Sequence, residues 1–123
     1  MIIGIGNDMI EIERVRKACC KATFLTRYFT TKEINSFGKK PVSLAGNFCV
    51  KESVAKAFGT GFREFSLIDI EVLRDELGKP YVNLYGKAEE VAVSLGIKKI
   101  HVSISNLKEL ASAVVVVEGG VDG

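Results

Sequence analysis

The sequence predicts an α+β fold in which a mostly antiparallel sheet packs on a long helix. Its 123 residues suit a single domain with a modest core, and we place one domain over residues 1–123. Helical patterns cluster in the first half of the chain and strand patterns in the second, an order typical of α+β proteins. Two pairs of strand patterns, 66–74 with 81–85 and 99–105 with 111–118, are each expected to form an antiparallel hairpin.

The chain begins with a strand pattern over residues 2–7, followed by a predicted helix over 9–20. Gly4 and Gly6 alternate with isoleucines in this strand, and glycines there allow another backbone or a ligand to come close. Asp8 stands at the predicted junction of strand and helix. An aspartate in that place is either the N-cap of the helix or a ligand for a hard metal ion at the end of a sheet.

Shorter helical segments lead to the long helix. We predict a helix over 23–29, and then a further one in which Thr30 and Glu33 form a capping box and Gly38 marks the end. The long helix is predicted over about 42–58.

The long helix carries charges where an apolar face is expected. On a helical wheel its apolar stripe consists of Leu44, Phe48, Ala55 and Phe58. Lys51 falls inside that arc and Glu52 at its edge, and an unpaired buried charge costs several kcal/mol. We therefore expect a partner for the charge: a side chain, a metal or an anionic ligand. Glu52 and Lys56 are also four residues apart, so they form either a simple surface ion pair or a site that holds a cation beside an anion.

The second half of the chain supplies the predicted strands. Between the two hairpins, apolar residues from Ala88 to Leu95 predict a helix that ends at Gly96. In the last strand, residues 114–117 are all valine. A strand that is apolar on both faces needs cover on both sides, and a subunit interface is one source of that cover.

Composition argues against several classes of protein. A formal net charge of +2 does not suggest a nucleic-acid-binding protein. No apolar run approaches the ~20 residues that span a bilayer, and no secretory leader pattern is present. Three cysteines form no disulfide framework and suit a reducing cytoplasm; Cys49 in the long helix is expected to pack rather than to act as a nucleophile. We therefore expect a cytoplasmic protein with no membrane or nucleic-acid partner.

Several segments together carry a resemblance to a known family. They are GIGNDMIEIER at 4–14, KESVAKAFGTG at 51–61, GKPYV at 78–82, HVSIS at 101–105 and KELASAVVVVE at 108–118. In this order and spacing they resemble the holo-[acyl-carrier-protein] synthases, the short bacterial type of 4′-phosphopantetheinyl transferase. The resemblance covers almost the whole chain.

The resemblance implies an enzyme and its catalytic residues. Members of the family transfer the phosphopantetheine arm of coenzyme A, their co-substrate, to a serine of apo acyl carrier protein and release adenosine 3′,5′-bisphosphate. Asp8 and Glu52 match the two carboxylates that hold Mg²⁺, and Lys56 matches the active-site lysine. Lys51 matches a family lysine that either contacts the cofactor or pairs with an acid. The serine proton would pass to a metal-bound water near Asp8 or to Glu52.

The resemblance also assigns residues to coenzyme A. The expected contacts are Gly59 and Gly61 after the long helix, and Gly78, Lys79 and Pro80 in the hairpin turn beside the adenine. This chain departs from the family where an arginine and a histidine commonly meet the 3′-phosphate, since it has Asn47 and Asn106 there. Asparagine carries no charge, so we expect the 3′-phosphate to be held less strongly, or to be held by Lys39 and Lys40.

The family resemblance also implies which molecules this chain binds. Arg14 matches the arginine that meets the acidic helix of the carrier protein, and Lys17, Lys21 and Arg27 extend a basic surface that is otherwise an ordinary solvated face. The resemblance implies a homotrimer with active sites at the protomer boundaries. A non-catalytic protein that binds coenzyme A or an acidic partner on the same fold is the alternative, and a purely structural trimer is a third reading. Neither the carrier protein served, nor acceptance of acylated coenzyme A, follows from these residues.

Overall fold

A computed structural model of the chain describes residues 1–60 and 64–120. Its elements in chain order are β1 (Ile2–Glu11), α1 (Ile12–Cys19), α2 (Ala22–Tyr28), α3 (Thr31–Phe37), α4 (Pro41–Phe58), a 3₁₀ turn (Leu67–Asp69), β2 (Ile70–Arg74), β3 (Pro80–Leu84), α5 (Gly86–Ser94), β4 (Ile97–Asn106) and β5 (Leu110–Gly119). No helix within the described ranges has both the length and the apolar character that crossing a membrane requires.

The strands form two antiparallel sheets. One has three strands in the order β1–β5–β4, and the other is the β2–β3 hairpin. Both predicted hairpins are therefore present, and the first strand joins the sheet by pairing with the last. The α+β class with antiparallel strands is confirmed.

Helix α4 lies against β1 at very short range. A Cβ atom on Gly4 would collide with the carbonyl oxygen of Ala57, and one on Gly6 with that of Ser53. Only glycine allows the two backbones to approach in this way. The close approach predicted from these glycines is thus to the backbone of α4.

The start of the chain differs from the prediction. The helix expected over 9–20 begins only at Ile12, because β1 continues through Glu11, which pairs with Leu110. The backbone N–H of Ile12 donates to the carbonyl of Glu109 at 2.9 Å. Asp8 therefore lies inside a strand, opposite Ala113, and the N-cap interpretation of Asp8 is wrong.

The helix ends agree with their sequence signals more closely. Thr30 and Glu33 form the predicted capping box at the start of α3. Helix α4 ends at Phe58, and Gly59 caps it with a left-handed φ of 78°. The strand predicted over 66–74 is shorter than expected, because its first part is the 3₁₀ turn.

The last strand is covered on one face only. Val115 and Val117 are fully buried against the core. Val114 is 38% exposed on the opposite face, which it shares with the more exposed Ile5 and Met9 of β1. The protomer thus leaves one face of its three-stranded sheet partly apolar and open.

Candidate active site

Asp8 and Lys56 meet at the edge of α4 where it crosses β1. The Nζ atom of Lys56 lies 3.3 Å from Oδ1 of Asp8 and donates to the carbonyl oxygen of Asn7 at 2.8 Å. Lys56 is about half exposed and Asp8 more sheltered. One turn earlier in the same helix, Glu52 lies close enough to both for their charges to act on its pKa, so the structure groups the three residues that the family resemblance selects for catalysis.

The charges of Asp8 and Lys56 lie close enough to Glu52 to affect its pKa. Burial and the neighbouring Asp8 raise the pKa of Glu52, while Lys56 opposes that shift. Burial, Asp8 and Glu52 together raise the pKa of the Cys49 thiol to about 12. Cys49 therefore stays protonated at neutral pH, which agrees with a packing role and argues against a nucleophilic one.

A surface cavity of about 450 Å³ opens beside this group. Its lining includes Asp8 and Lys56 together with Ser103, Ser105 and Ser112 from the adjoining strands. The wall thus offers a carboxylate, an ammonium and three hydroxyl groups to a polar ligand.

The carboxylates fit a magnesium ion. Asp8 lies close enough to Glu52 to raise its pKa, and the half-exposed ammonium of Lys56 pairs with Asp8, so these three groups carry an excess of negative charge that a divalent cation would offset. Within the described residues no cluster of three or more acid, histidine or cysteine side chains offers a complete metal cage. Magnesium suits such a pair because it takes one or two carboxylates and fills its remaining positions with phosphate oxygens and water.

Lys51 does not belong to this cavity. Its side chain is completely buried, and Nζ donates to Oε1 of Glu33 at 2.7 Å, to the carbonyl of Leu67 at 3.1 Å and to the carbonyl of Ile70. An ammonium has three donors, and all three are used. The structure therefore contradicts the expected contact of Lys51 with the cofactor. It shows the alternative, in which Lys51 pairs with an acid.

Asn47 is likewise turned into the core. It is fully buried, and its Nδ2 donates to Oε2 of Glu33 at 3.0 Å and to the carbonyl of Val72 at 2.9 Å. The structure therefore also contradicts the expected contact of Asn47 with coenzyme A. The side-chain amide of Asn47 instead connects α4 to α3 and β2.

Sequence reasoning missed the central role of Glu33, which it used only as a capping residue. Glu33 accepts hydrogen bonds from Lys51, Asn47 and the backbone N–H groups of Thr30 and Val72. The inward-pointing Lys51 indicated that a buried acid must lie nearby. No spacing rule connects that lysine with Glu33, which lies in a different helix.

Glu71 was missed for the same reason. Its carboxylate accepts from Thr30 Oγ1 at 2.6 Å, Tyr85 OH at 2.9 Å and Asn83 Nδ2 at 3.1 Å. Burial pushes the pKa of Glu71 upward, but these hydrogen bonds outweigh it and hold the pKa below its usual value. Glu71 thereby joins the entry of α3 to the β2–β3 hairpin.

The remaining predicted cofactor residues that the structure describes lie at or near the surface. Gly59 ends α4 beside the site, whereas Gly61 lies outside the described residues. Gly78, with φ of 86°, and Lys79 form the exposed hairpin turn that precedes Pro80. Exposed positions are also held by Lys39, Lys40 and Asn106. In one protomer, Lys40 lines a cavity different from that of Asp8.

All four predicted partner-binding residues are exposed. Arg14 and Lys17 are one turn apart on α1, Lys21 precedes α2, and Arg27 stacks over the ring of Tyr28 at 5.4 Å. The first two helices thus present these cations to solvent.

Comparisons with known proteins agree with this architecture. The model of the 4′-phosphopantetheinyl transferase superfamily matches residues 4–115. The chain is 57% identical to the holo-[acyl-carrier-protein] synthase of Lachnoclostridium phytofermentans over 118 residues, which cover 96% of this chain and 97% of the relative.

Solved structures give the same result. A Bacillus anthracis holo-(acyl-carrier-protein) synthase in complex with CoA (3′,5′-ADP) is 38% identical, with a TM-score of 0.80 and coverage of 98% of this chain and 99% of that one. The Helicobacter pylori holo-[acyl-carrier-protein] synthase in complex with coenzyme A is 34% identical, with a TM-score of 0.82 and coverage of 93% and 99%.

Proposed function

The chain belongs to the holo-[acyl-carrier-protein] synthase family of 4′-phosphopantetheinyl transferases, and from that premise we propose that it transfers phosphopantetheine from coenzyme A to a serine of apo acyl carrier protein. The observation that carries the proposal is the convergence of Asp8, Glu52 and Lys56 at one edge of α4. The relatives crystallised with coenzyme A or its 3′,5′-ADP portion support the choice of donor. A protein that only binds coenzyme A has no need of a metal site, so these retained residues weigh against the non-catalytic alternative.

We further propose that the reaction depends on Mg²⁺ held by Asp8 and Glu52. When bound, the ion offsets the charge of the pyrophosphate and of the departing phosphate. The excess of carboxylate over ammonium at this site supports the assignment.

The chain's own side chains supply positioning and proton transfer. The serine oxygen forms a bond to the phosphorus that carries the pantetheine arm, and the bond from that phosphorus to adenosine 3′,5′-bisphosphate breaks. Lys56, held by Asp8 and the carbonyl of Asn7, places a fixed positive charge beside the phosphates. The serine proton passes to a water held near Asp8, and Glu52 is the alternative acceptor.

We propose that the carrier protein docks on the basic surface formed by Arg14, Lys17, Lys21 and Arg27. Their exposure makes them available to an acidic partner, and complementary charges speed such encounters.

We also propose a homotrimer, in which residues from neighbouring protomers complete each site. The open apolar face of the three-stranded sheet supports an assembly of this kind. We place the enzyme in the cytoplasm, where its unpaired cysteines would stay reduced.

Intact-mass analysis of apo acyl carrier protein tests the proposed function. The carrier protein is incubated with this enzyme, coenzyme A and Mg²⁺, and a parallel sample contains EDTA. We expect the carrier protein to gain one phosphopantetheine group, and we expect EDTA to abolish that gain. A gain that persists in EDTA would contradict the metal assignment. No gain with any of several carrier proteins would favour the non-catalytic alternative.

A further inference from the structure

Strand β1 follows a regular register along helix α4. Side chains alternate between the two faces of a strand, so Gly4, Gly6 and Asp8 share one face of β1, and all three are more sheltered than the residues between them. A Cβ atom on Gly4 would overlap the carbonyl oxygen of Ala57, and one on Gly6 would overlap that of Ser53. Two strand residues advance by about 6.7 Å and four helix residues by about 6.0 Å. Because these steps nearly match, the two backbones stay in contact over successive positions.

Asp8 occupies the next position of this register. The same step places it opposite Cys49, and the two side chains interact: burial, the charges of Asp8 and Glu52, and a hydrogen bond with Asp8 raise the pKa of the thiol. Asp8 is therefore the first residue with a side chain after the two glycines on this face. Since the glycines keep β1 against α4, the carboxylate of Asp8 enters the space beside Glu52 and Lys56.

The contact at Gly6 lies closer to the active site than the contact at Gly4. Gly6 is two residues before Asp8, and the carbonyl that it faces belongs to Ser53, the residue after Glu52. Gly4 is four residues from Asp8, about 13 Å along the strand. A displacement of β1 from α4 at Gly6 would therefore separate the two carboxylates, whereas a displacement at Gly4 would act mainly at the start of β1.

The position of Lys56 depends on the same part of β1. Its Nζ atom donates to the main-chain carbonyl of Asn7 at 2.8 Å, and Asn7 directly follows Gly6. The second contact of the ammonium, at 3.3 Å, is to Oδ1 of Asp8, the next residue of the strand. The strand segment that begins at Gly6 thus holds both the carboxylate of Asp8 and the ammonium of Lys56.

We propose that Gly6 is a positioning residue of the active site: by admitting the carbonyl of Ser53, it holds β1 against α4 at the separation at which Asp8 and Glu52 bind one divalent cation. This inference rests on the proposed function, since it concerns the two carboxylates assigned to Mg²⁺. Gly6 itself contacts neither metal nor substrate, and it acts through the position of Asp8. Gly4 makes the same kind of backbone contact and serves packing alone.

Binding of Mn²⁺ alone tests the proposal, because Mn²⁺ prefers the same oxygen ligands as Mg²⁺ and its free form is measured by electron paramagnetic resonance. Asp8→Asn gives the background. We expect Gly6→Ala to weaken binding about tenfold, within the 10–100-fold that groups supporting a metal's ligands contribute. Gly4→Ala, the matched control, should lose similar stability in urea and keep the wild-type affinity. Wild-type affinity in Gly6→Ala, equal losses in both glycine variants, or wild-type binding no tighter than the background would each overturn the proposal.

The length of the acidic side chain separates positioning from packing. In the wild-type background Asp8→Glu should weaken Mn²⁺ binding, because the fixed backbones suit the shorter carboxylate. In the Gly6→Ala background the same change should strengthen binding, because the longer side chain spans the added gap. Weaker binding in both backgrounds would assign Gly6 to packing and overturn the proposal. If Gly6→Ala does not fold, Asp8→Glu alone decides: a loss of about tenfold supports the proposal, and wild-type affinity overturns it.

Mn²⁺ binding requires no transfer reaction, so the positioning role and the proposed function can fail separately. If the protein transfers no phosphopantetheine but Gly6→Ala still weakens Mn²⁺ binding selectively, the positioning role of Gly6 stands. If transfer is normal and Mn²⁺ binding is insensitive to Gly6→Ala, only the positioning role is overturned.

Discussion

At the scale of single residues, Glu33 determines how the polar groups near α4 are buried. It is fully enclosed, and it is the acidic partner of the equally enclosed Lys51. A buried ion pair adds little net stability, but removal of one partner leaves an uncompensated charge in the core. Lys51 is therefore part of the core, whereas Lys56, five residues later, is exposed and contacts Asp8 of the proposed active site.

Lys51→Met is expected to destabilise the protein by about 3–5 kcal/mol, because it leaves Glu33 charged and unpaired in the core. The measurement is urea denaturation followed by circular dichroism, with Lys87→Met as the exposed control. At a temperature where the variant is folded, its KM for coenzyme A should equal that of the wild type. A large rise in KM with unchanged stability would contradict the structural role and restore a ligand contact.

The sequence shows that Lys51 points inward, since the apolar stripe of the helix surrounds it. It does not show that Glu33 is the partner of Lys51, because the two residues are 18 positions apart in the chain. The capping-box pattern predicts only the local hydrogen bonds of Glu33 at the start of its own helix. Asp8, Glu52 and Lys56, which the family resemblance selects for catalysis, lie near one another in the structure, and their catalytic role stays a prediction. The resemblance misplaces Asn47, because a single amide in place of an arginine can turn toward a buried carboxylate.

At the scale of elements, α1 carries two exposed cations, Arg14 and Lys17, on the surface proposed to dock the carrier protein. Arg14→Glu combined with Lys17→Glu should raise KM for apo acyl carrier protein about tenfold at low salt, since like charges replace attractive ones. The difference from wild type should shrink as salt is added, because screening acts over about 10 Å at 0.1 M. Steady-state kinetics over a salt series provide the test, with Lys87→Glu as the control. A KM that ignores both the substitutions and salt would contradict this docking surface.

Glu71 connects α3 to the β2–β3 hairpin, and its contribution should depend on pH. Its pKa is lowered in the folded protein, so the stability it supplies is complete above its unfolded pKa of about 4.3 and is lost as pH falls through the lower folded value. Glu71→Gln should therefore lower Tm at neutral pH, and the gap to the wild type should close below about pH 4. Thermal unfolding across a pH series provides the measurement. A gap of constant size would show that the charge of Glu71 has no part in the effect.

Element boundaries explain why the position of Asp8 was mispredicted. The alternation of β1 is visible over its first residues, but its extension to Glu11 depends on pairing with β5, about a hundred residues later in the chain. Local sequence cannot reveal such pairing. The ends of α3 and α4 were predictable because a capping box and a left-handed glycine act within a few residues.

At the scale of the whole molecule, the outer face of the three-stranded sheet is the proposed interface of the trimer. Ile5→Glu should convert a trimer, with three times the 13.4 kDa of one chain, into a monomer, because a charge would enter the proposed apolar interface. Light scattering coupled to size exclusion measures the mass. Val93→Glu, at an equally exposed apolar position on α5, is the matched control and should leave the assembly intact. A wild-type mass of one chain would contradict the trimer.

The central claim is that Asp8 and Glu52 form the site of transfer, and the rate of phosphopantetheine transfer in three variants tests it most directly. Asp8→Ala and Glu52→Ala should each lower the rate by more than about 100-fold, because changes even outside a metal's own ligands cost about 10–100-fold. Their circular dichroism should match that of the wild type, and Glu90→Ala, an exposed control on α5, should retain full activity. Full activity of Asp8→Ala and Glu52→Ala would contradict the account.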